Sequence, residues 1–142
     1  MDKTSDFDQL LQAAAAQPEP QRLLFVFATA ELPEDATPAQ RQRFAAGGGG
    51  SLAPVMCVDK GLEEMGSFDE LVAESREAGP PWQVLFAAGL CGRHGQSPGA
   101  EQVGRALQTM VERVREGMIE SYLALAPSGE ALHFVHSPLI SH

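Results

Sequence analysis

The sequence predicts an α/β fold: a mixed, mostly parallel sheet of about five strands with alternating helices and a C-terminal β-hairpin. Three observations predict it. The runs Leu23–Ala28 and Val84–Ala88 are continuously apolar, as strands buried on both faces are. Segments of helical period alternate with such runs in the order α-β-α-β-α-β-α-β-β, and that alternation implies parallel, right-handed crossovers. The turn Pro127-Ser128-Gly129-Glu130 lies between the last two apolar runs and signals an antiparallel hairpin. Residues 1–142 read as one domain, since domains run to roughly 100–200 residues.

Each element has a local cause. Ser5 caps a first helix with Asp6 and Asp8 in its first turn and Phe7, Leu10, Leu11 and Ala14 on one face. Pro18 and Pro20 end it. Arg22 to Ala30 is the first strand, and the acidic loop Glu31 to Asp35 follows. Thr37-Pro38 starts a short helix through Gln40, Arg41 and Phe44. Gly47-Gly48-Gly49-Gly50 ends it as a loop with high entropy to lose. That loop lacks the Lys-Ser/Thr ending of a phosphate-binding P-loop.

Leu52 to Val58 is the second strand, and Pro54 either puts it at a sheet edge or lies among its first residues. Ser67 and Glu70 form a capping box for a helix carrying Leu71, Val72 and Ser75, which Gly79 closes. Trp82 to Leu90 is the third strand, and Trp82 is expected to pack a helix against the sheet. Ser97-Pro98 starts the longest helix, with Val103, Leu107, Met110, Val111, Val114 and Met118 as its apolar stripe. Glu101 and Arg105 can pair on its wet face, and Gly117 lies at its end. Ile119–Ala126 and Ala131–His136 are the hairpin strands, and residues 137–142 read as a frayed tail.

Charge narrows the partners. Ten Lys and Arg against 19 Asp and Glu leave a net charge of −9. A polyanion or an anionic membrane needs a basic surface, so neither nucleic acid nor membrane is an expected partner. The start Met1-Asp2-Lys3-Thr4 is polar and no apolar run approaches the ~20 residues of a membrane span. A cytoplasmic protein is expected. Two cysteines, Cys57 and Cys91, with no CxxC spacing predict two buried or half-buried thiols and neither a redox motif nor a zinc knuckle.

In an open α/β sheet, ligands bind beyond the carboxyl ends of the strands. That rule collects Glu31, Glu34 and Asp35, then Asp59 and Lys60, then Cys91, Arg93 and His94. The turn from Gly89 to Pro98 stands out. Gly92 and Gly95 expose backbone amides, Arg93 and His94 add positive charge, and a helix N-terminus follows Ser97. Together these predict a site for a small anion built from Lys60, Gly92, Arg93, His94, Gly95 and Ser97. From Gly79 to Gly99 there is no acidic residue, which keeps that stretch open to an anion. The rival reading is an enzyme with Cys91 as nucleophile, His94 as base and Asp59 orienting the imidazole. His133 and His136 lie three apart on a predicted strand, where they face opposite ways. No metal and no cofactor is expected.

Arg22-Leu23-Leu24-Phe25-Val26-Phe27-Ala28 and Leu32-Pro33-Glu34-Asp35-Ala36-Thr37-Pro38 resemble a family of short bacterial proteins. Pro54-Val55-Met56-Cys57-Val58-Asp59-Lys60 and Gly89-Leu90-Cys91-Gly92-Arg93 are similar too. Members of that family, which is essentially uncharacterised, often carry the label "ribonucleotide reductase subunit alpha". Such a subunit needs a large barrel with several redox cysteines, and this chain has 142 residues and two cysteines. The resemblance implies a family without a mechanism, and no catalytic residue carries over. The expected function is a non-catalytic domain that binds a small anionic ligand or a protein partner. The sheet edges suggest a homodimer.

Overall fold

The apolar run Leu23–Ala28 becomes the middle of a sheet because both of its faces find a helix. The computed structural model describes residues 6–31, 37–39 and 51–132. The described elements are α1 (Asp6–Ala15), β1 (Gln21–Glu31), β2 (Ser51–Gly61), α2 (Phe68–Ala78), β3 (Val84–Cys91), α3 (Ala100–Glu116) and β4 (Leu123–Leu125). Leu62–Glu64 forms a single 3₁₀ turn after β2. The strand order is β2-β1-β3-β4.

Alternation along β1 builds two cores. Leu23, Phe25 and Phe27 face α1 and α2, packing with Phe7, Ala14, Leu71, Trp82, Leu85 and Leu125. Leu24, Val26 and Ala28 face α3, packing with Phe86, Val103, Met110, Val114 and Ala124. Period two in the strand and period 3.6 in α3 therefore meet in one layer. Trp82 packs as expected: its ring meets Phe27 edge-on at 5.0 Å, and its indole N–H donates to Ser75 Oγ at 2.7 Å.

The sheet is antiparallel throughout among the described strands, with four strands. This corrects the mostly parallel sheet of about five strands that alternation implied. Alternation dictates parallel neighbours only when each crossover returns to an adjacent strand. Here β1 and β2 pair from Glu31 opposite Ser51 back to Arg22 opposite Gly61, as hairpin partners do. The chain then passes through α2 to β3 on the far side of β1. β2 and β3 run in the same direction with β1 between them, so they never pair.

Several local expectations hold. Ser67 Oγ accepts from the Glu70 amide and the Glu70 carboxylate accepts from the Ser67 amide. Gly117 ends α3 in the left-handed region at φ 80°, with its amide on Arg113 and Val114 carbonyls. Glu101 and Arg105 pair at 3.3 Å. Two differ. Met118, placed in the apolar stripe by spacing, lies past the helix end and is 54% exposed. Cys57 and Cys91 are both exposed, not buried, because Cys57 sits on the outermost strand and Cys91 on the last residue of β3.

Pro38 and Ala39 are helical, and the remainder of that predicted helix lies outside the described residues. So do Glu34, Asp35, the Gly47–Gly50 loop, His133, His136 and the tail. Of the second hairpin strand, Ala131 bridges Leu125 and the Leu132 amide reaches the Ala124 carbonyl.

Pro54 does mark a sheet edge, and it does more. Phe27 pairs with Met56 and Ala28 with Pro54, which leaves Val55 as an extra residue in β2. A bulge of this kind shifts which residues face which side. Val55 and Met56 both reach the α1–α2 side, and Asp59 lands opposite Leu24 on the α3 side. The bulge and the missing proline amide also blunt this edge against further pairing.

Candidate functional site

In this sheet the carboxyl ends of β2 and β3 share one rim with the amino end of β1. Gln21 is opposite Cys91, and Arg22 lies between Leu90 and Gly61. The rim therefore gathers Asp59, Lys60, Cys91 and Arg93 with Arg22, a residue that the sheet-end rule passed over. Glu31, expected at the same rim, lies at the opposite end beside Ser51, because β1 runs against its neighbours.

The sequence-predicted residues of the rim are divided between two faces. Asp59 faces α3, opposite Leu24, whereas Lys60, opposite Leu23, faces α2 and binds Glu74 at 3.0 Å. Cys91, opposite Gln21, is on the Lys60 face but two strands across from it. Asp59 thus points away from Cys91. Its carboxylate is taken by Arg22, with Nε to Oδ2 at 2.5 Å.

The turn after β3 is closed on itself. The Arg93 amide donates to the Gln96 carbonyl and the Gln96 amide to the Arg93 carbonyl, at 3.0 and 2.9 Å. His94 at φ 54° and Gly95 at φ 77° occupy the centre, the geometry of a two-residue hairpin turn. The Gly92 amide binds the Pro20 carbonyl at 2.8 Å. The Gly95 amide binds the Glu19 carboxylate at 2.7 Å. The amides assigned to an outside anion are engaged, one of them by an anion of the chain itself. Arg93, His94 and Ser97 are exposed.

A cleft lies beside this turn, under the first two turns of α3. Arg22, Asp59, Pro98, Ala100, Val103, Gly104 and Leu107 line it, and its volume is about 380 Å³. Small-molecule sites typically occupy roughly 300–1,000 Å³ with apolar walls and a few placed polar groups. The helix contributes the apolar wall, and Gly104 leaves it open: a Cβ there would meet nothing within 4 Å.

The polar wall is the Arg22–Asp59 pair, which Glu64, outside the lining, extends into a three-membered ion network. Arg22 Nε holds Asp59 and Nη2 holds Glu64 Oε1 at 3.0 Å. The Arg22 and Asp59 side chains are only 24% and 29% exposed. The Asp59 hydrogen bond, opposed by burial, raises the Arg22 guanidinium above its ordinary value. The Gly61 amide, bonded at 2.7 Å, is the largest influence lowering the Glu64 carboxyl. Desolvation opposes that shift and the Arg22 charge adds to it. Arg22 Nη1 and Asp59 Oδ1 have no hydrogen-bond partner among the described residues.

Sequence reasoning missed Arg22, Glu64 and Gly104. Arg22 carries a weak signal, a lone cation at the mouth of a doubly buried strand. Its partner 37 positions away has no local signature. No protein-family model, curated protein or solved structure matches the chain. Among the described residues, no three His, Cys, Asp or Glu side chains are grouped to hold a metal ion, and no helix is long and apolar enough to cross a membrane.

Proposed function

We propose that this protein is a non-catalytic binding domain whose ligand site is the cleft between α3 and the amino end of β1. One observation carries the reading. An open cleft of about 380 Å³ has an apolar helical wall facing a fixed ion pair. Pre-positioned polar groups beside apolar surface give orientation without chemistry. Asp59 is bound to Arg22 and Cys91 lies on the other face, so these two described residues do not come together as a catalytic pair.

The test is a thermal-shift screen of uncharged and charged small molecules against wild type and Gly104→Met. A ligand that binds the folded state raises Tm by mass action. Methionine at 104 meets open space and replaces a poor helix former, so the variant folds at least as well as wild type. Its side chain fills the cleft. Compounds that stabilise wild type should lose their effect in Gly104→Met. Hits that stabilise both proteins equally would place binding elsewhere and end this reading.

A further inference from the structure

The geometry points to a neutral ligand group that carries a hydrogen-bond donor and an acceptor together, as an amide or urea does. This rests on the cleft being the site. Among the described residues Arg22 is the one basic side chain lining the cleft, and two carboxylates already pair with it. The network of Arg22, Asp59 and Glu64 therefore carries a net charge of −1 in a chain of net charge −9. A carboxylate or phosphate entering the cleft would have to displace Asp59 from Arg22, or sit beside it as a second uncompensated anion. An ammonium group is drawn by the net charge of the network, but within the cleft it would sit against the Arg22 guanidinium, a permanent positive charge on the same wall.

What the wall offers instead is unused donors beside an unused acceptor. Arg22 Nη1 carries protons with no partner among the described residues, and Asp59 Oδ1 accepts from none. A neutral group with a C=O and an N–H satisfies both and brings no charge into a half-buried place. The apolar wall of Pro98, Val103 and Leu107 takes the hydrocarbon body of such a ligand. This reverses the sign logic of the neighbouring turn, where exposed cations and glycines suggested an anion.

Benzamide, benzoate and benzylamine differ only in the head group, so they isolate this preference. Their affinities are measured on the full chain by titration of amide NMR shifts, read at Val103, Gly104 and Leu107. Benzamide should bind at least about ten-fold more tightly than either charged analogue. In Asp59→Asn the network becomes neutral, and benzoate should gain on benzamide several-fold. Equal or tighter binding of benzoate or benzylamine at those amides overturns the inference and leaves the cleft as the site. If none of the three moves those amides, while other compounds bind there, the ligand class falls alone. If no compound moves them, the cleft reading falls with it.

Discussion

Ser75 is the one polar side chain buried in the described core, at 4% exposure. Its hydroxyl accepts the Trp82 indole N–H at 2.7 Å and donates to the Val72 carbonyl at 2.7 Å. Ser75→Ala removes the acceptor and leaves a buried indole N–H without one. The Val72 carbonyl keeps its helical partner, so only one group is orphaned. An unsatisfied buried donor costs about 1–3 kcal/mol. Taking about 2 kcal/mol, and about 3 °C per kcal/mol for a domain near this size, Tm falls by about 6 °C. The assay is urea denaturation with a double-mutant cycle. Trp82→Phe removes the donor, so Ser75→Ala should cost much less in that background. An equal cost in both backgrounds would refute the hydrogen-bond account and assign the effect to packing.

Three further outcomes follow from other parts of the molecule. Gly92→Ala should destabilise by about 1–3 kcal/mol, because a Cβ there would lie 1.9 Å from the Gln96 carbonyl oxygen. Gly104→Ala, inside α3 with open space around it, should not, and urea titration of both variants checks the contrast. The Glu64 carboxyl is held below its ordinary value of 4.5, so its stabilising contribution is complete above that value and is lost as pH falls through the folded value. The stability gap between wild type and Glu64→Gln should therefore shrink on going from about pH 6 to about pH 3; a gap that widens toward acid contradicts the assignment. Both Cys57 and Cys91 are exposed, so a chromogenic disulfide reagent should titrate two thiols per chain in native buffer, whereas one or none without denaturant would contradict their placement.

Features set by neighbours in sequence were legible, and features set by strand register were not. The Ser67–Glu70 box spans three residues and was readable directly, as was Gly117 after the apolar stripe of α3. The run Leu23–Ala28 announced a doubly covered strand and proved to be the most buried one. Strand direction was another matter. Whether β2 runs with or against β1 depends on the pairing of Glu31 with Ser51, and a propensity pattern carries no information on that. The site followed the same division. Asp59 was recognised as a rim residue, but its face depends on the extra residue at Val55. Without that bulge the alternation would turn Asp59 away from Arg22. The Gly92–Gly95 amides were recognised as donors, but Glu19, which meets the Gly95 amide from 76 positions away, has no signal of its own.

The central claim is that binding occurs under α3, at the Arg22–Asp59 wall, and not at the glycine turn after β3. A map of amide shift changes on titrating a compound that stabilises the protein tests it most directly. The account predicts that the changes cluster at Arg22, Asp59, Val103, Gly104 and Leu107, the residues that share the cleft. Changes centred on Gly92, Arg93, His94 and Gly95, with the cleft amides unmoved, would contradict it.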